Sequence, residues 1–314
     1  MGKRVIVVAG PTASGKTRLS IELAKKLNGE IVSADSMQIY KGMDIGTAKA
    51  TEEEKAQVPH HMLDVAEPWE DYSVARYVEE ASACCDDIIA RGKIPVITGG
   101  TGLYIDSLLS GRNFAQKQEG DNQLREELLN KFDVVGGEEM LRELHEVDPE
   151  RAEKLNSGDK RRIVRALEIY TLTGITATEH DRRTQALPKA YDACYFVLNF
   201  KDRADLYSRI DKRVDIMAQQ GLFKEVEGLL ASGLPESCTA MQAIGYKEVI
   251  SALKGEMSSE AALDLIKQSS RRYAKRQLTW FRKNQDACWI EFDAEPDYDT
   301  ALSQALDYIG AKWK

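Results

Sequence analysis

No apolar run in this 314-residue chain approaches the roughly 18 residues that a membrane-spanning helix needs. The N-terminal residues lead straight into a strand-like stretch at 5–9 without a signal-peptide pattern, so a cytoplasmic protein with no membrane attachment is expected. Cysteine is sparse and scattered: Cys84, Cys85, Cys194, Cys238 and Cys288 are odd in number and form no C-x-x-C, which indicates neither a disulfide framework nor a zinc site. His60 and His61 are adjacent and cannot share one helix face, and no acid–cysteine set near them completes a metal site. They are read as loop residues near an active cleft. Internal repeats and low-complexity linkers are absent, and 43% hydrophobic content suffices for one large or two modest domains with a real core.

What the chain does carry, directly after the apolar stretch, is Gly10-Pro-Thr-Ala-Ser-Gly-Lys-Thr17, a full match to G-x-x-x-x-G-K-[ST]. Gly10 and Gly15 let successive backbone N–H groups of the loop curl around phosphate oxygens. Lys16 reaches the terminal phosphates, the Thr17 hydroxyl is placed to ligand Mg²⁺, and the helix that follows directs its positive end at the anion. The pattern predicts a phosphate-binding loop but not which phosphorylated molecule sits there.

The net charge of −8 argues mildly against a nucleic-acid partner, yet the charges are segregated along the chain. Lys160, Arg161, Arg162 and Arg165 cluster, as do Arg271, Arg272, Lys275, Arg276, Arg282 and Lys283 with no acid between them, while acids concentrate over 119–153. Interleaved Tyr273, Trp280 and Phe281 suit a surface that tracks a nucleic-acid backbone and offers rings to unstacked bases. Aromatics at helical spacing more often belong to a core, and that reading is preferred for the three rings taken alone.

Periodicity predicts a strand over 3–9, a helix over 17–27 and a second strand over 30–34, a βαβ start. A helix over 73–91 leads to a buried strand over 94–98 that ends in Gly99-Gly-Thr-Gly102 and a further helix. From 121 to 174 the pattern is helical, broken at Pro149 and Gly158 and burying Leu124, Leu128, Leu141, Leu144, Ile163 and Leu167. A strand over 197–200, helices over 203–219, 222–231 and 259–283, and a last strand over 289–292 complete the reading. The expectation is an α/β protein: a P-loop NTPase-like parallel-sheet core with an inserted all-helical domain, divided as 1–115, 116–189 and 190–314.

Asp35 closes the second strand and so projects from a carboxyl-terminal strand edge, where α/β sheets place ligands. A carboxylate there can hold Mg²⁺ through water, accept a proton from a substrate nucleophile, or simply cap a turn. The third strand ends in Thr98, not in the acid that a typical ATPase supplies to magnesium, which weakens simple ATP hydrolysis without eliminating a small-molecule kinase.

Several blocks occur in order: the phosphate loop, Asp35-Ser-Met-Gln-Ile-Tyr40, Gly42-Met-Asp-Ile-Gly-Thr-Ala-Lys49, Pro59-His-His-Met-Leu-Asp64 and Gly99-Gly-Thr-Gly-Leu-Tyr104. Arg162-Ile-Val-Arg-Ala-Leu-Glu168 and Ala240-Met-Gln-Ala-Ile-Gly-Tyr-Lys-Glu248 follow. Together, over residues from about 3 to 284, the chain resembles the tRNA dimethylallyltransferases, also called tRNA isopentenyltransferases. The resemblance implies transfer of a dimethylallyl group from dimethylallyl diphosphate to N6 of the adenosine at position 37, immediately 3′ of the anticodon, with release of diphosphate. Residues Gly10, Pro11, Thr12, Ala13, Ser14, Gly15, Lys16 and Thr17 then hold the donor diphosphate with Mg²⁺ on Thr17, and Asp35 becomes the base. Thr101 orients the tRNA, and Arg213 is the candidate second cation on the leaving group, with an ordinary salt-bridged helix arginine as its alternative. The implied tRNA contacts are Asp35, Ser36, Met37, Gln38 and Thr101 around the base, Arg161, Arg162 and Arg165 in the insertion, and Arg271, Arg272, Lys275 and Arg276. The partners are the tRNA anticodon stem-loop and the prenyl donor, with the protein acting as a monomer. Alternatives are a prenyltransferase of free adenine nucleotides, a small-molecule kinase, and an RNA-binding switch that leaves tRNA unchanged; none explains the whole motif set.

Overall fold

The computed structural model describes residues 2–111, 121–186 and 188–314. It divides into two compact units, Met1–Gly111 with Ala190–Lys314, and Arg112–Lys189. The boundary expected between residues 115 and 116 lies outside the described residues.

Among the described residues of the first unit, six strands form one sheet: β1 Lys3–Ala9, β2 Gly29–Ser33, β3 His60–His61, β4 Ile94–Gly99, β5 Tyr191–Phe200 and β6 Cys288–Phe292. All pairings are parallel, in the order β3-β2-β4-β1-β5-β6. A parallel strand covered on both faces needs a continuous apolar run, and Val5, Ile6, Val7, Val8 and Ala9 at the centre are fully buried. Val8 and Ser33 both pair with Thr98, and Ala9 with Gly99, so β1, β2 and β4 end level. The loops that leave these strands, at Gly10, Ala34–Asp35 and Gly100, therefore emerge side by side at the carboxyl edge of the sheet, the position from which such folds bind ligands.

Two local expectations change, and the strand expected at 289–292 is present. His60 and His61 are not loop residues at the cleft: they form edge strand β3, in register with Ile31 and Val32, and the His61 ring meets the Glu30 carboxylate. The strand expected at 197–200 begins at Tyr191, because β1 supplies a partner residue for residue from Lys3 onward. The chain beyond 287 adds β6 and a final helix, Tyr298–Lys312, capped by the Asp297 carboxylate on the amides of Asp299 and Thr300.

The second unit is helical: Asp121–Val135, Gly137–Val147, Pro149–Ala152, Lys160–Thr173 and Ala177–Ala186. Met140, Leu144, Ile163, Val164 and Leu167 form its core, with Leu124 and Leu141 packed partly buried against it. Burial of each such side chain contributes about 1.5–3 kcal/mol. Pro149 begins a short helix at its first position, where the missing N–H costs nothing. A further break falls at Gly136, whose φ of 85° ends the first helix.

Candidate active site

The phosphate loop runs from β1 into the helix Lys16–Lys26, and it is tightly specified. Gly15 has φ 87°, and a Cβ there would overlap the Tyr298 hydroxyl. Ala13 holds φ 63°, an uncommon left-handed conformation for a side-chain-bearing residue and one that clusters at ligand clamps. Two of the loop's amides are committed within the protein: Thr12 N–H donates to Gln277 Oε1 (3.0 Å) and Ser14 N–H to the Pro11 carbonyl (3.3 Å). Those of Ala13, Gly15, Lys16 and Thr17 meet no acceptor among the described residues, and the buried Ser14 hydroxyl likewise has no partner. Unmatched donors around one loop at a helix N-terminus make an anion site. Lys16 Nζ donates to the Pro11 carbonyl (2.8 Å), so the ammonium arches back over the loop. Burial, and secondarily the Arg213 charge, push its pKa down to about 7, against the opposing pull of Asp35.

Asp35 follows β2, and its Oδ1 accepts the Met37 amide (3.0 Å), so it does close a turn. Its charge is also felt by Lys16, Arg213, Tyr104 and Tyr273, which puts it among groups from four different segments. Arg213, on the helix Arg203–Gln220, donates to the Ala48 carbonyl (3.4 Å) and makes no ion pair among the described residues. Burial lowers its pKa while Asp35 opposes the shift. Gln38 Nε2 donates to the carbonyls of Thr47 and Ala48 (both 3.2 Å), and its Oε1 accepts the Ser33 hydroxyl (3.1 Å). The backbone that holds Arg213 thus also holds Gln38. Met37 is partly buried against a second apolar cluster around Tyr40 and Tyr246.

Thr101 begins the helix Gly102–Leu109 without capping it through its side chain. Its Oγ1 instead accepts the Ser36 amide (3.0 Å) and its own amide donates to the Ala34 carbonyl (3.1 Å), which ties the loops after β4 and β2 together. The glycines around it record close approaches: a Cβ on Gly99 would overlap the Ala34 backbone, one on Gly100 would overlap Gln277, and one on Gly102 the Trp280 ring. The approaching element is the helix Ser259–Phe281, capped by Ser258. Its aromatics are turned inward: Phe281 is buried, Trp280 donates to the Asp106 carboxylate (2.7 Å) and the Tyr273 hydroxyl meets Thr101 and Gln277.

The phosphate loop, Asp35–Gln38, Thr101 and Arg213 therefore converge within the first unit. On the same unit Arg272, Lys275 and Arg276 are exposed, Arg276 lying over the Tyr273 ring (5.5 Å), whereas Arg271 is paired with Asp211 (2.5 Å). Arg161, Arg162 and Arg165 lie exposed on one helix, Lys160–Thr173, of the second unit; Arg162 faces Asp159 at 3.6 Å and Arg165 binds the Glu168 carboxylate at 2.7 Å. Sequence reasoning missed Gln277, and it missed Glu225, whose carboxylate accepts the amides of Asp44, Ile45 and Gly46 and the Tyr246 hydroxyl. The glycine run after β4 was the available signal for Gln277, since closely spaced glycines mark an approaching element.

The IPP transferase family model matches residues 38–284, and the isopentenyl transferase model residues 3–65. The chain is 45% identical to a tRNA dimethylallyltransferase of Caldanaerobacter subterraneus over 100% of both chains. It is 46% identical to that of Acetivibrio thermocellus over 97% of this chain and 96% of the relative. Among solved structures, a tRNA isopentenylpyrophosphate transferase from Bacillus halodurans superposes with a TM-score of 0.74 at 39% identity, covering 99% of this chain and 96% of that one. A eukaryotic dimethylallyltransferase described as acting on tRNA gives a TM-score of 0.82 at 30% identity, over 99% of this chain and 80% of the other.

Proposed function

The chain belongs to the tRNA dimethylallyltransferase family, and from that premise we propose that it moves the dimethylallyl group of dimethylallyl diphosphate onto N6 of adenosine 37 of tRNA. The observation that carries this reading is the convergence of Lys16, Arg213 and Asp35 at the carboxyl edge of the sheet, each within electrostatic reach of the other two. The free amides of Ala13, Gly15, Lys16 and Thr17 cradle the donor's diphosphate, and its negative charge restores the charged form of Lys16. As the allylic C–O bond breaks, positive charge develops on the carbon and negative charge on the departing diphosphate; Lys16 and Arg213 stabilise the latter. The adenine N6, whose lone pair is delocalised into the ring, forms the new C–N bond and gives its proton to Asp35.

Thr101 and Ser36, already hydrogen-bonded to each other, and Gln38 border the space for the flipped base, whose removal from an anticodon loop costs a few kcal/mol at most. Mg²⁺ suits the loop: Thr17 and the unpartnered Ser14 offer hydroxyls, and no cluster of three or more His, Cys, Asp or Glu suited to a metal lies among the described residues. Thr17 would hold such a hard ion together with the donor's phosphate oxygens, and the ion would supply further neutralisation of the leaving group. Arg161, Arg162 and Arg165 grip the anticodon stem-loop, joined by Arg272, Lys275 and Arg276 and, once released from Asp211, Arg271. No helix among the described residues is long and apolar enough to cross a membrane.

Single-turnover kinetics of Asp35→Asn with unmodified tRNA and excess donor test this. The expected result is a fall in rate of about 10²-fold or more with inorganic diphosphate affinity unchanged. A variant rate within a few-fold of the parent removes Asp35 from the base role.

A further inference from the structure

Two of the glycines that follow β4, Gly100 and Gly102, face the helix Ser259–Phe281, and the side chain that fills the space above Gly100 is Gln277. It is 5% exposed, although it sits between the exposed Lys275–Arg276 pair and Thr279. Its amide spans two loops: Oε1 accepts the Thr12 N–H (3.0 Å) and Nε2 donates to the Gly100 carbonyl (2.9 Å). A primary amide offers an acceptor and a donor on one rigid plane, and its orientation follows from its partners, one a donor and the other an acceptor. Tyr273, one turn earlier, meets both Gln277 and Thr101.

We propose that Gln277 is a positioning residue that sets the spacing between the donor-phosphate loop and the acceptor-base loop. The inference rests on the donor site proposed above. Thr12 lies three residues beyond the end of β1, and its amide is committed to the buried Gln277. That hold leaves the amides of Ala13, Gly15, Lys16 and Thr17 to curl around the anion. At the other end, fixing Gly100 fixes Thr101, whose hydroxyl holds the Ser36 amide next to Asp35. β1 and β4 are neighbours in register at Ala9 and Gly99, so the sheet brings the two loops close, and Gln277 sets the remaining distance. Preorganised donors lose effectiveness steeply when misplaced by an ångström or less.

Two variants test this independently. Gln277→Met keeps the length and loses both hydrogen bonds. Gly100→Ala retains the glutamine but puts a Cβ into overlap with its Nε2, so that the end of this flexible side chain must move off the Gly100 carbonyl; Gly100 needs no left-handed backbone. Calorimetry with inorganic diphosphate, donor KM and kcat, and the Kd of an anticodon stem-loop are measured for both. The expected pattern is a loss of diphosphate affinity and of kcat of about tenfold or more in each, with stem-loop Kd within about twofold. A residue that merely stabilises the fold lowers the melting temperature and the active fraction but leaves the diphosphate Kd of folded protein unchanged, and that result overturns the proposal. Values within twofold of the parent in either folded variant also overturn it. If Gln277→Met does not fold, Gly100→Ala decides; if neither folds, Gln277 is structural and the proposal fails. A parent protein that binds diphosphate but yields no prenylated tRNA contradicts the proposed function, and the calorimetry still decides the role of Gln277.

Discussion

Lys16 and Glu30 show two opposite ways in which one fold handles a charge. Lys16 is buried, with no carboxylate bonded to it, and lies under the field of Arg213, so its ammonium is weakened until an anion arrives. Replacing it with methionine is expected to reduce inorganic diphosphate affinity and turnover together, by about 10²-fold in turnover, with stem-loop binding retained; calorimetry and steady-state rates check this. Glu30, with 3% of its side chain exposed, is held by Arg91 above all, and by Lys93 and His61, which outweigh the cost of burial and keep its carboxyl well below the usual range. Because the folded value lies below the unfolded one, its contribution is present at neutral pH and is lost as pH falls below about 4.5 toward the folded value. Glu30→Gln is expected to cost about 3 kcal/mol at pH 7 and to flatten the acid side of the stability profile, as denaturant titrations from pH 7 to pH 3 would report. An acid limb identical to the parent's contradicts that. The placement of Asp35 at the carboxyl edge was legible, because it directly follows an apolar strand. Gln277 was not, since a glutamine flanked by lysine, arginine and threonine reads as solvent-facing until the glycine loop closes on it.

Helix boundaries were mostly legible, because the 3.6-residue pattern and the caps agree at Ser73, Asp202 and Ser258. Two features escaped for physical reasons. The break at Gly136 lies between segments of the same helical period, so the glycine pair was the only signal; β3 has two residues and no period at all. The helix Lys160–Thr173 supplies a prediction at this scale. Arg162 has only a 3.6 Å neighbour in Asp159, while Arg165 is bound to the Glu168 carboxylate. Neutralising both is expected to weaken stem-loop binding and lower the slope of log K against log salt by about one for each phosphate the variant no longer neutralises, with Arg162 having the larger effect. Unchanged affinity across a salt series contradicts their assignment to tRNA. The elements beyond 287 carried no motif, yet β6 pairs with β5 through Phe200 and Tyr298 packs against Gly15 of the phosphate loop. Ending the chain at residue 287 exposes the β5 edge and the apolar residues that Ile290, Phe292 and Ala305 cover. The shortened protein is expected to aggregate and lose its cooperative thermal transition; a soluble protein with the parent's transition contradicts this.

At the scale of the molecule, an overall charge of −8 coexists with basic stretches on the helices Lys160–Thr173 and Ser259–Phe281, so net charge is a poor guide to the partner here. The parallel sheet was readable from alternating strand and helix patterns, and the level ending of β1, β2 and β4 follows from the sheet register, which no single segment contains. The arrangement places the phosphate loop and the Asp35 carboxylate on one sheet edge. Its most direct test incubates the protein with Mg²⁺, dimethylallyl diphosphate and unmodified tRNA, with ATP and AMP as comparison substrates, and maps modified nucleosides in tRNA fragments by mass spectrometry. The account predicts one dimethylallyl group on N6 of adenosine 37 and no reaction of ATP or AMP. Unmodified tRNA accompanied by ATP turnover or prenylated AMP would contradict it.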